Sequence, residues 1–198
     1  MSKHFAGYGA AEGGRDYDAA NISDGQLWNV YLPPFKAAVD AGVGSVMSAY
    51  MDLNDVPATG NRWLLRDVLR RDWKFGGFVV SDANAVGDLK THGFARDEHD
   101  AALKALTAGV NMEMSFNAAV YLKNLANAVK HNQVSVKEID DMVRPLLETK
   151  IKLGLFENPY VDEAKVKSTF DNPAHREAAK TAAARSAVLL KIKIICFL

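Results

Sequence analysis

The chain has 198 residues, 48% of them hydrophobic, with 24 basic and 24 acidic side chains, so its formal net charge is zero. That balance leaves no footprint for nucleic acid or an acidic membrane surface and favours a small or neutral ligand. A single cysteine, Cys196, excludes an internal disulfide and a cysteine metal cluster, and no apolar run is long enough to span a membrane.

In chain order, KHF at residues 3–5 reads as a strand end without a lead-in, and MSKHFAGYGAAEGGRDYD carries no signal-peptide pattern. The loop EGGRDYD offers Glu12, Arg15 and Asp16 but lacks the GK[ST] ending of a phosphate-binding loop. Residues 23–41 read as a helix opened by a Ser23/Gln26 capping box, with Trp28, Tyr31, Leu32 and Phe35 at helical spacing. Pro33 and Pro34 should kink or divide it. Val43 to Tyr50 then reads as a strand, and DLNDVPATGN as a loop.

Asn61 can cap a helix whose Leu64, Leu65, Val68 and Leu69 line one face. Gly76 and Gly77 end that segment before FVVS, a strand buried on both faces that stops at Asp82. A helix follows over about 98–108, Gly109 ends it, and Val110 to Met114 forms another strand. Helices at about 117–131 and 136–152 come next, the second opened by a Ser135/Glu138 capping box. Residues 155–174 read as a linker and 175–187 as a final helix. The ending KIKIICFL is apolar and β-prone, an aggregation hazard if exposed.

Strands near residues 3, 43, 78 and 110, alternating with helices, argue for parallel βαβ units. The period is that of a (β/α) barrel, and about half the strands of a complete barrel are here. The expected fold is therefore α/β, the C-terminal half of a barrel over residues 1–154. A linker at 155–174 follows, then the truncated start of a sandwich domain over 175–198 with an atypical tail from about 192.

Active sites of such barrels lie at the C-terminal ends of the strands. The candidates there are Lys3 and His4, Met47 and Tyr50, Asp82, and Glu113 with Met114. Each has an ordinary explanation. Asp82 alone is slightly more often a helix cap than a catalyst, Lys3 and His4 are surface residues, and Tyr50, Met47 and Met114 are packing residues. Alternation in NMEMS turns Glu113 away from Met112 and Met114, which makes it a poor second carboxylate. Adjacent Lys3 and His4 reach one ligand only if the backbone turns there. The remaining histidines lack zinc-ligand spacing.

Together KHFAGYGAAEGGRDYD, SVMSAYMDLNDVPATGN, WLLRDVLRRDWKFGGFVVSDANAV and AGVNMEMS resemble glycoside hydrolase family 3, and most of all its bacterial periplasmic-type β-glucosidases. The likeness runs from Lys3 to about Lys191, with several motifs in the same order. It implies a retaining, exo-acting β-glycosidase that removes terminal β-D-glucosyl residues from oligosaccharides or aryl β-glucosides, without metal or organic cofactor. By the resemblance Asp82 is the nucleophile, and Lys3, His4, Met47 and Tyr50 bind the first sugar. The family's acid/base is usually a Glu of the sandwich domain, which places it beyond Leu198, and the parent proteins are commonly periplasmic or secreted.

Two departures stand out: Ala83 follows the nucleophile where many members have Trp, and Asp55 stands where others have Gly. The expectation is a fragment, missing its first barrel half and its sandwich domain, with little or no turnover alone. The alternatives are a non-catalytic sugar-binding or unstable remnant and, more remotely, a lyase using Lys3 as a Schiff base.

Overall fold

The computed structural model describes residues 1–116 and 118–191. The IKIICFL tail from 192 onward and the expected helix start at 117 lie outside the described residues. The chain divides into two compact units, Met1–Leu153 and a second that begins at Gly154.

The first unit is built on four parallel strands in the order β1-β2-β5-β6: β1 Ser2–Phe5, β2 Ser45–Ser48, β5 Phe78–Ala83 and β6 Met112–Met114. Val46 pairs with Val79, and Met47 with Val80. Phe5, Val46 and Val79 belong to the main core, with Leu64, Leu65, Val68 and Leu69 of the helix Trp63–Asp72. Val86 and Leu89 of α3 (Ala85–Thr91) and the alanines of α4 (Glu98–Ala108) complete that layer. Met47 and Val80 are buried but outside this core, because neighbouring residues in a strand point to opposite faces.

Local chemistry accounts for most of the boundaries. Ser23 accepts from the Gln26 N–H at 3.3 Å, so α1 (Asp24–Gln26) has an N-cap, but the Gln26 side chain does not complete the expected box. The prolines do divide the segment: five residues of π-type helix, Leu27–Tyr31, lead into α2, Pro33–Asp40, where Pro occupies the first turn. Asn61 caps the next helix through the Leu64 N–H at 3.0 Å. Ser135 and Glu138 form both halves of the capping box of α6, Val136–Lys152. Gly109 stops α4 at φ 115°, a conformation open to glycine. A Cβ on Gly77 would collide with the Gly44 carbonyl, so only glycine lets β5 begin this close to β2.

The segment expected as a plain loop after β2 is a hairpin, β3 (Asp52–Leu53) against β4 (Val56–Pro57). Asn54 and Asp55 turn it with φ of 50° and 68°, the left-handed pair of a two-residue hairpin. That is the reason glycine suits position 55. Helix α3 was not legible, since its seven residues carry too little periodicity. Helix α5 covers Val120–Lys130. In the second unit, α7 (Ala164–Phe170) lies within the stretch expected as linker, and α8 covers Pro173–Ser186.

Candidate functional site

Asp82 stands at the end of β5, where the ladder to β6 slips. Val80 pairs with Met112 but Ala83 with Met114, so Ser81–Asp82 contain one extra residue. Ser81 repairs the gap. Its hydroxyl accepts from the Met114 N–H at 2.9 Å and donates to the Asp82 carbonyl at 2.8 Å. The Ser of the SD pair is fully buried and holds the bulge that presents the Asp. Asp82 does not cap α3; the cap position there is Asn84, with φ 59° and no side-chain bond to the helix, its Oδ1 accepting instead from the Phe116 N–H at 3.0 Å.

A second slip lies in β1. Ser2 pairs with Val46 and Phe5 with Ser48, leaving Lys3–His4 irregular. This is the backbone turn that adjacent Lys3 and His4 require. The Lys3–His4 peptide bond is cis. His4 reaches Asp82, its Nε2 lying 3.2 Å from Asp82 Oδ2. The other carboxylate oxygen accepts from the Ala83 N–H at 2.8 Å. The Asp82 side chain is only 13% exposed, whereas Lys3 is exposed and makes no side-chain bond to the described residues.

Tyr50 donates its hydroxyl to the Ala83 carbonyl at 2.7 Å, tying the end of the β2 segment to the residue after Asp82. Burial first, and then the Asp82 charge, push the Tyr50 phenol well above its ordinary pKa, so it remains a donor. Met47 is 4% exposed, on the sheet face of Val80.

The structure adds two tyrosines that the sequence reading did not single out. Tyr8 stands edge-on to His4 at 5.3 Å, and Tyr17 tilts against Tyr50 at 4.6 Å. Tyr17 belongs to the loop EGGRDYD and Tyr8 to the turn Tyr8–Ala10 just before it. Asp16 fixes that loop by accepting from the Tyr8 hydroxyl and, at 3.1 Å, from the Tyr17 N–H. Burial, then the bond to Asp16, push the Tyr8 phenol up to about 12. The signal available was aromatic residues flanking GGRD on a strand-end loop. Glu12 and Arg15 hold loop partners instead, Asn21 at 2.6 Å and Asp18 at 2.8 Å.

Glu113 has another task. Its two oxygens accept from the Val120 and Tyr121 N–H groups at 2.9 and 2.8 Å, capping α5. The side chain therefore points away from Asp82, as the alternation in NMEMS predicts. Among the described residues no group of three or more His, Cys, Asp or Glu could hold a metal.

Comparison with known proteins places this geometry in context. Residues 1–149 match the model of the glycosyl hydrolase family 3 N-terminal domain. A periplasmic β-glucosidase of Salmonella typhimurium is 43% identical over 97% of this chain and 26% of its own length. A β-xylosidase of Formosa agariphila is 41% identical over 96% of this chain and 27% of its own. The crystal structure of a β-glucosidase from Listeria innocua in complex with glucose superposes with a TM-score of 0.88 at 38% identity, over 98% of this chain and 27% of that one. The chain thus spans about a quarter of the length of these relatives.

Proposed function

The chain belongs to glycosyl hydrolase family 3, and on that premise we propose that it carries the nucleophile half of a retaining β-glycosidase, Asp82, with part of the first sugar subsite. The observation that carries this reading is the Asp82–His4 pair at 3.2 Å on the strand ends. One oxygen of Asp82 is held by the Ala83 N–H and the other faces an imidazole that can also donate to a sugar hydroxyl.

In the reaction, an Asp82 oxygen attacks the anomeric carbon as the bond to the leaving oxygen breaks. An acid protonates that oxygen, and water then releases the sugar with the same group acting as base. The anion opposite the developing oxocarbenium ion also stabilises it electrostatically. Lys3 and His4 bind the sugar hydroxyls, and Met47 and Tyr50 line the subsite. Tyr50 further holds Ala83, and with it the Asp82 backbone, in place. No cofactor enters this scheme.

Retaining chemistry needs two carboxyl groups about 5–5.5 Å apart; Glu113 is engaged at α5, and the family resemblance implies that the acid/base is a Glu of the sandwich domain. The four parallel strands are part of a (β/α) barrel completed by further sequence, with a sandwich domain that starts at about residue 175, inside the second unit. The substrate is a terminal β-D-glucosyl residue of an oligosaccharide or aryl glucoside, and the whole protein acts in the periplasm or outside the cell.

Without the acid, the chain alone turns over natural glycosides little or not at all, and activated aryl glucosides slowly. The test is purified chain on an aryl glucoside and on a β-linked disaccharide; full rates on the disaccharide would overturn the reading. The engagement of Glu113 also favours a second reading, a sugar-binding module without turnover. Calorimetry with glucose, in which binding is lost on His4→Ala while no aryl glucoside is cleaved, would select it.

A further inference from the structure

All three tryptophans of the chain, Trp28, Trp63 and Trp73, line two neighbouring grooves that share Trp28. The larger, of about 510 Å³, is formed by Asp24, Trp28, Asn61 and Trp63 over a floor that includes Leu27 and Leu53. The smaller, about 340 Å³, runs from Trp28 past Pro33 and Lys36 to Trp73. Neither contains His4, Tyr50 or Asp82. Trp28 and Trp63 are 43% and 39% exposed, and their rings meet at 85° with centroids 6.2 Å apart.

We propose that these grooves form a binding surface, separate from the Asp82 site, for a neutral polysaccharide chain. Exposed indoles at a right angle make a corner in which one ring face stacks on the apolar C–H face of a pyranose, while an N–H is left to donate.

The polar groups present are those that hydroxyls require. Asn61 is only 6% exposed, and its Oδ1 is taken by the Leu64 N–H. Its Nδ2 has no hydrogen-bond partner among the described residues, yet is not sealed from solvent, so it offers a fixed donor at the groove wall. Asp24, exposed in the first turn of α1, offers an acceptor. The larger groove is lined by no Lys or Arg, and Lys36 in the smaller one is paired with Asp40 at 2.5 Å. An anionic ligand therefore finds no free cation here, whereas a neutral polyol finds stacking faces, a donor and an acceptor. The inference concerns binding only and stands whether or not Asp82 is a nucleophile.

The experiment is native gel electrophoresis of the whole chain through gels containing a soluble neutral β-glucan or xylan, with polygalacturonate as the anionic control. The expected result is retardation in a neutral gel, reduced at least fivefold by Trp28→Ala and by Trp63→Ala, and retained by His4→Ala. Circular dichroism checks each fold, and if Trp63→Ala fails to fold, the more exposed Trp28→Ala decides. Four outcomes would overturn the proposal: no retardation in either neutral gel, retardation by polygalacturonate alone, retardation unchanged in Trp28→Ala, or retardation abolished by His4→Ala.

Discussion

Nε2 of His4 lies 3.2 Å from Oδ2 of Asp82, although β2 runs between their strands. Two strand spacings amount to about 9.6 Å of backbone separation. Each side chain leaves an irregular stretch of its strand, Lys3–His4 in β1 and Ser81–Asp82 in β5, and the two converge beyond the end of β2. The contact joins residues far apart in sequence and gives Asp82 a partner while leaving it partly open to a ligand.

Replacing Asp82 tests the chemistry directly. On an activated aryl glucoside, Asp82→Asn should reduce the slow rate of the native chain by at least about 10³-fold. A 2-deoxy-2-fluoroglucoside with a good leaving group should leave a glycosyl adduct on the Asp82 peptide, detected by mass spectrometry. An adduct on Glu113 would refute the assignment.

Removing the hydroxyl of Tyr50 separates positioning from packing. Tyr50→Phe keeps the ring against Tyr17 but loses the bond to the Ala83 carbonyl. The expected loss of stability is about 1 kcal/mol, with slower cleavage of aryl glucoside and intact secondary structure by circular dichroism. An unchanged rate with lowered stability would leave Tyr50 a packing residue.

Asn111 is a buried hub that bonds to one strand and two helices. Its Oδ1 accepts from the Val79 N–H at 2.8 Å and from Arg70 at 2.6 Å, and its Nδ2 donates to the Met142 carbonyl at 2.8 Å. Burial, with nearby Arg66, depresses the Arg70 guanidinium to about 10, so this cation depends on its acceptors. Asn111→Leu leaves all three groups short of a partner and should cost about 3 kcal/mol or more, measured by urea unfolding.

Asp100 sets an acid limit. The Arg96 N–H and then its guanidinium hold the Asp100 carboxyl down to about 2, against an ordinary value of 3.8. A carboxylate with a depressed folded pKa stabilises the protein fully above its unfolded value, and that stability is lost as pH falls towards the folded one. Melting temperature should therefore fall between about pH 4 and pH 2. Asp100→Asn should be less stable than the native chain at pH 7 and show a smaller fall over that window. An identical pH profile in the variant would assign the acid limit to other carboxylates.

Where the chemistry is local, the sequence determined the structure closely. Helices Glu98–Ala108 and Val136–Lys152 have the ends that Gly109 and the Ser135/Glu138 box prescribe, because caps and glycine stops act within one turn. The parallel α/β layout followed from the spacing of apolar runs, and NMEMS correctly turned Glu113 away, since strand alternation is also local. Helix α3 and the Asn54–Asp55 hairpin were hidden because elements so short carry too few residues to set a period. Tertiary structure alone decided what surrounds Asp82: the His4 contact across β2, the Tyr50 bond to Ala83, and Tyr8 and Tyr17 brought over by their loop. These meetings depend on where two strands slip register, and no window of sequence contains both partners.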